Sequence, residues 1–190
     1  MTHQEIICRP SGPEDDAAVA ALDSSFTTDT VYEVTPSLSG SPDGFALRPV
    51  PVDPPVRKVF PDDEPDGDGD GGDDGDGGTG RRYAAFEGDV LCGFVATSYE
   101  PWNRRLTVED IGVAPAYRGR GVGRALMERV HERARECGAG HVWLEVTNIN
   151  APAIRSYLRM GFSFCGMDTT LYSGTESAGE IALFMSRPCP

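Results

Sequence analysis

The sequence predicts an α/β fold in which helices flank a mixed sheet. Three observations carry this prediction. After residue 82 the hydrophobic pattern indicates a hairpin, a strand, a helix, a strand, a short helix and further strands. A glycine-rich turn lies between one strand and the long helix, which suits a helix that crosses between two parallel strands. The length of 190 residues, with 39% of them hydrophobic, fits one domain over residues 1–190.

The first 60 residues carry weak signals. Residues 6–8 predict a short strand, and Ser11 with Glu14 predicts a capping box that opens a helix reaching about Leu22. Residues 24–60 are rich in proline and glycine and mixed in polarity. We therefore expect irregular structure there, with short strands, for example around residues 45–47.

An acidic segment interrupts the chain at about residues 62–80. Residues 61–80 contain eight aspartates, one glutamate and eight glycines, and no basic residue. Such a segment has almost nothing apolar to bury, so we expect a disordered surface loop. A calcium-binding glycine and aspartate repeat is the alternative, but that repeat needs an apolar residue every nine positions, and none is present.

Charge and composition narrow the function classes. A formal net charge of -13 disfavours nucleic acid and anionic membranes as partners and favours a cationic one. No apolar run approaches the roughly 20 residues that span a bilayer, and the first residues do not form a signal peptide, so a cytoplasmic protein is expected. Five cysteines without a CxxC pair and three scattered histidines predict neither a disulfide framework nor a metal site.

The sequence patterns that predict helices and strands are clearer after the acidic segment. The helix prediction rests on apolar residues that recur on one face, among them Val122, Leu126 and Val130, and on Gly138, which ends the pattern. Asn150, followed by a proline two residues later, opens a short helix that ends at Gly161. The predicted elements are a hairpin (83–86 and 90–99), a strand (105–113), a helix (121–137), a strand (141–147), a helix (150–161) and two strands (162–165 and 181–185).

The turn between strand and helix is the densest chemical signal. Its glycines allow backbone N–H groups to converge on an anion, and the helix N-terminus adds a partial positive charge, so a phosphate-bearing cofactor is expected there. The dinucleotide pattern GxGxxG fails because Arg124 follows Gly121 and Leu126 follows Gly123 at the third position. The phosphate-loop pattern GxxxxGK fails because no Gly-Lys pair exists.

The turn matches a different pattern, (Q/R)xxGx(G/A), in Arg118, Gly121 and Gly123, after a strand that ends in Val-Ala-Pro. Together with LEVTNINAPAIRSYLRMGF at residues 144–162, it resembles the GNAT superfamily of acetyl-CoA-dependent N-acetyltransferases. The resemblance implies the GNAT fold: a mixed, mostly antiparallel central sheet with a parallel splayed strand pair, flanked by helices. It also implies acetyl-CoA as acetyl donor and no metal.

Further segments are similar to the streptothricin (nourseothricin) N-acetyltransferases. These are SFTTDTVYEV, KVFPDDE, YEPWNRRLTVEDIGVAP and the ending MSRPCP, and the similarity extends over nearly the whole chain. It implies that a cationic antibiotic is inactivated by acetylation of an amine on its β-lysine moiety, directly in a ternary complex. An aminoglycoside, a polyamine or a protein N-terminus as acceptor, and a non-catalytic acetyl-CoA-binding module, remain alternatives. A monomer and a homodimer both stay open.

The resemblance also assigns cofactor-binding residues. The turn would bind the pyrophosphate, with Arg124 or Arg120 as charge partner, while backbone groups of the preceding strand would pair with the acetyl carbonyl and the pantetheine arm. Asn150 corresponds to a pantetheine contact but equally suits the N-cap of its helix. The full set is Ile111, Gly112, Val113, Arg118, Gly119, Arg120, Gly121, Val122, Gly123, Arg124 and Asn150.

Two residues are the catalytic candidates. An alkyl ammonium has a pKa near 10.4 and must lose a proton before it attacks a thioester, and a carboxylate near the acetyl carbon could remove that proton directly or through water. Glu109 occupies the position where related acetyltransferases present a substrate-facing acid or histidine; simple alternation places it with Thr107, and a bulge would change that phase. Tyr157 matches the tyrosine that the superfamily places near the sulfur of coenzyme A, where a phenol could protonate the leaving thiolate.

Three further residues are candidates for substrate binding. Asp110 and Glu145 are the rival carboxylates for the base, and Glu145 could instead bind the cationic substrate. Trp102 could make a cation–π contact with it, or could be an ordinary packing aromatic. Which amine nitrogen reacts is not predicted.

Overall fold

Within the residues described below, seven strands form the central sheet and two more form a separate hairpin. The computed structural model describes residues 5–36, 44–60 and 80–189. The predicted acidic loop at 62–80 lies outside these residues except for Gly80, which begins a strand. The strands are β1 (Ile6–Pro10), β2 (Phe26–Pro36), β3 (Phe45–Lys58), β4 (Gly80–Glu87), β5 (Val90–Glu100), β6 (Arg105–Val113), β7 (His141–Thr147), β8 (Ser163–Asp168) and β9 (Ala182–Pro188).

The sheet order is β1-β4-β5-β6-β7-β9-β8, while β2 pairs with β3 in a second, two-stranded sheet. Neighbouring strands run antiparallel except β6 and β7, which form the parallel pair. The helices are α1 (Asp16–Ala20), α2 (Val122–Glu136) and α3 (Ala151–Arg159), and α2 connects β6 to β7. The predicted mixed sheet, with a long helix crossing between parallel strands, is therefore confirmed.

The chain divides into two compact units. The first contains Met1–Ser25, Val59–Trp143 and Pro188–Pro190, and the second contains Phe26–Lys58 and Leu144–Arg187. In the first unit α2 packs against β4, β5 and β6. Its buried face consists of Val122, Leu126, Met127, Val130 and Ala134, each at most 1% exposed. Burial of each larger side chain contributes about 1.5–3 kcal/mol, which fixes the helix and therefore the turn that precedes it.

The predicted helix from Ser11 to Leu22 is wrong in its start and its length. A 3-10 turn at Pro13–Asp15 precedes α1, and Gly12 is the N-cap residue of that turn. Asp15, rather than Glu14, accepts the Gly12 N–H at 3.3 Å. The reason is Arg9, which donates two hydrogen bonds of 2.8 Å to the buried Asp15 carboxylate and holds it at that position.

The prediction of irregular structure with short strands at residues 24–60 is wrong for residues 26–36 and 45–58, which form two long strands, and the short strand expected around residues 45–47 is the start of the second. In the second unit β2 and β3 form a long antiparallel hairpin that pairs Phe26 with Lys58 and Pro36 with Phe45. The prolines of β3 argued against a strand because proline lacks an N–H. A two-stranded ribbon tolerates proline where the opposite residue directs its N–H away from the partner strand: opposite Pro49, the Tyr32 N–H donates to the Asn148 carbonyl at 2.8 Å.

The other predicted elements are confirmed to within a few residues. The strands at 105–113 and 141–147 have the predicted bounds. Pro152 lies in the first turn of α3, and Gly161, with φ of 87°, follows its end in the left-handed conformation that favours glycine. In the described part of the chain, no helix combines the length and apolar character needed to cross a bilayer.

Candidate active site

A bulge in β6 determines how the strand presents its carboxylates. Thr97 of β5 pairs with Val108, but the next residue along the ladder, Ala96, pairs with Asp110. Glu109 is thus the extra residue of a β-bulge, and both Glu109 and Asp110 are exposed whereas Val108 is buried. The bulge breaks the simple alternation that groups Glu109 with Thr107. As a result, the adjacent acidic side chains of Glu109 and Asp110 both reach solvent.

The carboxylate of Glu109 is held by the neighbouring strand. The Ser98 hydroxyl on β5 donates a hydrogen bond to Glu109 Oε1. Among the residues that the structure describes, no Lys or Arg nitrogen forms an ion pair with Glu109. Glu109 is therefore an oriented carboxylate without a neutralising cation, which is what a proton acceptor requires.

The end of β6 is built for close backbone packing. A Cβ on Gly112 would lie 2.7 Å from Phe94 Cε1 and 3.1 Å from Leu22 Cδ2. A Cβ on Gly93, which pairs with Val113 on β5, would lie 2.6 Å from the Gly112 carbonyl oxygen. Glycine at these positions keeps β5 and β6 in register beside the backbone groups of Ile111 and Val113.

The glycine turn leads directly into α2. Gly119 and Gly121 have φ of 73° and 90°, which non-glycine residues rarely adopt. Gly121 is the N-cap residue, no side chain caps this helix end, and the first intrahelical bond runs from Ala125 N–H to the Gly121 carbonyl. The N–H groups of Val122, Gly123 and Arg124 precede that ladder, so they are free of intrahelical acceptors.

The three arginines around the turn differ in their contacts. Arg118 donates from Nε to the Val113 carbonyl at 2.9 Å, which ties the turn to the end of β6. Arg120 bonds to Glu87 and stacks on Tyr117, with 4.7 Å between its Cζ and the ring centroid. Arg124 makes a 3.2 Å contact with Glu128 one turn further along α2, and its side chain is 79% exposed.

This donor set fits a diphosphate. The N-terminus of α2 has no side-chain cap, and the first turn of α2 contains no acidic residue. Two glycines in the left-handed conformation precede it, so the groups available to a ligand at this end are backbone N–H groups and arginine side chains. An anion with several oxygens matches such donors, and a cation does not. Within the described residues, no three His, Cys, Asp or Glu side chains form a group that could hold a metal ion.

In the second unit, α3 carries two of the predicted residues. Asn150 is the N-cap, and its Oδ1 accepts the Ala153 N–H at 3.2 Å. Tyr157 is 7% exposed, and its ring packs against Phe162 with 5.8 Å between centroids. The structure thus gives Asn150 the capping role that the sequence left open beside the cofactor contact, and it holds the Tyr157 ring firmly.

Glu145 lies in a less solvated environment than the β6 carboxylates. The Tyr172 hydroxyl donates a hydrogen bond to Glu145 Oε1. Burial raises the pKa of Glu145 above its ordinary value of 4.5, the Tyr172 hydrogen bond opposes this rise, and the nearby negative charge of Glu180 adds to it. Burial and Glu145 also raise the pKa of Tyr172, so the phenol stays protonated and remains a donor.

A second polar group in this unit escaped sequence reasoning. Lys58, the one lysine of the sequence, donates to Glu180 Oε1 at 2.5 Å and to Ser177 Oγ at 2.6 Å. The Thr147 hydroxyl donates to Glu180 Oε2 at 2.6 Å. The Lys58 and Glu180 side chains are only 11% and 14% exposed, so this is a largely buried ion pair. No local pattern signals it, because Lys58 and Glu180 are 122 residues apart in sequence.

The predicted residues thus fall into two groups. The first unit contains Glu109, Asp110, the end of β6 and the glycine turn, and the second contains Glu145, Asn150 and Tyr157. Trp102 belongs to the first unit, in the turn between β5 and β6, and is 82% exposed.

Comparisons with known proteins show which family the sequence resembles. The sequence model of the "Acetyltransferase (GNAT) family" matches residues 53–162, more than half of the chain. The chain is 57% identical to a streptothricin acetyltransferase of Streptomyces lavendulae over 185 residues, which cover 96% of this chain and 94% of that protein.

Solved structures agree as well. A crystal structure of nourseothricin acetyltransferase superposes with a TM-score of 0.84 at 58% identity and covers 97% of this chain and 99% of that one. A Bacillus anthracis structure in complex with acetyl coenzyme A, at 22% identity, shares the fold with a TM-score of 0.77 over the same shares of the two chains. The chain therefore belongs to the GNAT family of acetyltransferases.

Proposed function

We propose that the protein transfers the acetyl group of acetyl-CoA to an amine on the β-lysine moiety of a streptothricin-class antibiotic and thereby inactivates it. The observation that carries this proposal is the 57% identity to a streptothricin acetyltransferase over 96% of the chain. We further propose that residues 1–190 act as one acetyltransferase domain in the cytoplasm, where acetyl-CoA is available.

The glycine turn would hold the cofactor. The N–H groups of Val122, Gly123 and Arg124 lie where a diphosphate can accept from them, and Arg118, through its bond to Val113, keeps the turn beside the strand end. The backbone of Ile111 and Val113 would pair with the acetyl carbonyl and the pantetheine arm. When bound, acetyl-CoA supplies a thioester whose carbonyl carbon is the electrophile.

Glu109 would act as the base. A neutral amine is scarce at pH 7 because its ammonium form has a pKa near 10.4, so a carboxylate that accepts the proton raises the concentration of nucleophile. The bulge exposes Glu109, and Ser98 orients it. Asp110, its exposed neighbour, is the rival on the same strand.

Tyr157 would act as the acid. As the C–N bond forms and the C–S bond breaks, the sulfur leaves with an electron pair and needs a proton. Glu109 would take one proton from the ammonium before attack, and the new C–N bond leaves a second proton on the nitrogen to be lost. Tyr157 would donate its phenolic proton to the sulfur, and that second nitrogen proton would restore the phenol, so that the products are a neutral amide, a neutral thiol and one proton on Glu109. The buried ring of Tyr157 favours this role because α3 and Phe162 restrict its position.

Glu145, Asp110 and Trp102 would bind the cationic substrate. Glu145 is half-buried, with the Tyr172 phenol and the Glu180 carboxylate beside it, so a bound ammonium would relieve an unfavourable charge. Trp102 offers an exposed ring face for a cation–π contact.

An amine panel tests the proposed function. Release of free thiol is followed with acetyl-CoA and streptothricin, kanamycin, spermidine or a peptide, and the acetylated product is weighed by mass spectrometry. We expect turnover with streptothricin to exceed turnover with the other amines by at least about 100-fold in kcat/KM. Turnover with another amine but not with streptothricin would refute the substrate, and acetyl-CoA binding without thiol release would refute the catalytic role.

A further inference from the structure

Ser98 of β5 is a polar residue that the sequence did not single out. Its hydroxyl hydrogen-bonds to the carboxylate of Glu109, and in the described residues no other side chain or backbone group donates to that carboxylate. The contact lies within the first unit, on two strands whose pairing is continuous on both sides of the bulge.

The strand register explains why Ser98 can reach Glu109. Ser98 lies opposite Thr107, and Thr97 lies opposite Val108. An uninterrupted ladder would place Glu109 opposite Ala96, but Asp110 takes that place. Because of the bulge, Glu109 has no backbone pairing partner on β5, and its side chain instead reaches the Ser98 hydroxyl.

We propose that Ser98 is a positioning residue that fixes the Glu109 carboxylate for proton transfer. Its hydroxyl donates a hydrogen bond to Oε1 of Glu109, so Oε2 of the same carboxylate is left to accept the amine proton. Ser98 itself neither gains nor loses a proton. This inference rests on the proposed function, since it assigns Glu109 the role of base.

The alternative is that Ser98 is only a strand residue whose hydroxyl happens to meet a carboxylate. The two views differ in whether the effect of Ser98 depends on Glu109. A positioning residue loses its effect when the group that it positions can no longer accept a proton, whereas a structural residue keeps its effect.

A double-mutant cycle with Ser98→Ala and Glu109→Gln separates these views. We expect Ser98→Ala to lower kcat about 5- to 10-fold, with the KM for acetyl-CoA changed less than about twofold, because only the proton transfer is affected. In the Glu109→Gln background, Ser98→Ala should change kcat less than about twofold. Ser98→Thr keeps a hydroxyl at the same branch and should return kcat to within about twofold of wild type.

Other outcomes would overturn the proposal. Equal losses from Ser98→Ala in both backgrounds would make Ser98 structural, and an unchanged kcat in the wild-type background would remove it from the reaction. Thermal melting of each variant shows whether a loss of kcat comes from unfolding instead. If Ser98→Ala unfolds, the test rests on Ser98→Thr, which keeps the hydroxyl: a kcat close to that of wild type supports the positioning role, and a reduced kcat overturns it. A wild-type protein that releases thiol with no amine would overturn the proposed function and this role together.

Discussion

Among single residues, the buried phenol of Tyr157 is the proposed acid. Its ring is fixed by Phe162, whereas its hydroxyl is the group assigned to the leaving sulfur. Tyr157→Phe keeps the ring and removes only that hydroxyl. We expect kcat to fall about 10- to 100-fold while the dissociation constant of acetyl-CoA changes less than about threefold. Unchanged turnover in stopped-flow thiol assays would remove Tyr157 from the mechanism.

Glu145 gives a prediction on pH and stability. Because burial raises the pKa of Glu145 in the folded state, the folded protein binds more protons than the unfolded chain just above pH 4.5. Stability contributed by this group therefore falls as the pH rises through that window and stays reduced at pH 7. Glu145→Gln should melt at a higher temperature than wild type at pH 7, and the difference should shrink towards pH 4.

The Glu145 measurement has a matched control. Glu132→Gln removes a carboxylate that forms an exposed pair with Arg129 on α2, far along the helix from the glycine turn. It should leave the melting temperature nearly unchanged at both pH values. A Glu145→Gln protein that is less stable than wild type at pH 7 would show that the carboxylate is stabilising in the absence of substrate.

The sequence identified individual site residues only where a local motif marks them. The glycine turn and the asparagine-led helix are contiguous, so their spacing is visible in one segment. Tyr172, Glu180 and Lys58 are brought together by tertiary structure, and no spacing rule connects them. The bulge that exposes Glu109 depends on its pairing with β5, which alternation along a single strand does not reveal.

At the level of elements, the Lys58–Glu180 ion pair connects the end of β3 to the segment before β9. Lys58→Met would leave Glu180 largely buried without a cation, so we expect a loss of about 3 kcal/mol in the free energy of unfolding. Arg48→Met is the control, since Arg48 pairs with Glu33 on the same hairpin but is 72% exposed. It should cost less than about 1 kcal/mol in urea denaturation. Equal losses in both variants would contradict the structural role of the buried pair.

Elements with strong periodicity were predictable, and those stabilised by distant partners were not. α2 and β7 show their buried faces in the sequence itself, and their predicted bounds differ from the structure by one residue or less. The β2–β3 hairpin was missed because its prolines mask the strand pattern, although the two strands pair on both sides of a register shift between Thr28 and Thr30. The start of the first helix was misplaced because Arg9, on β1, decides which acid caps it.

For the whole molecule, the fold followed from the order of elements, and one turn led to the expectation of a phosphate-bearing cofactor, whereas acetyl-CoA and the substrate rest on similarity to relatives. We propose that the turn before α2 binds acetyl-CoA and directs its thioester to an amine. Gly121 is the residue on which this claim depends most, because its φ of 90° begins the helix and places the donors.

Calorimetric titration of acetyl-CoA into wild type, Gly121→Val and Glu132→Gln tests that claim most directly. A β-branched residue resists the left-handed conformation at position 121, so the turn must change shape. We expect wild type and Glu132→Gln to bind acetyl-CoA with equal affinity and Gly121→Val to bind at least about 10-fold more weakly while still folding cooperatively. Equal affinity in all three proteins, or no binding by wild type, would show that this turn does not bind acetyl-CoA.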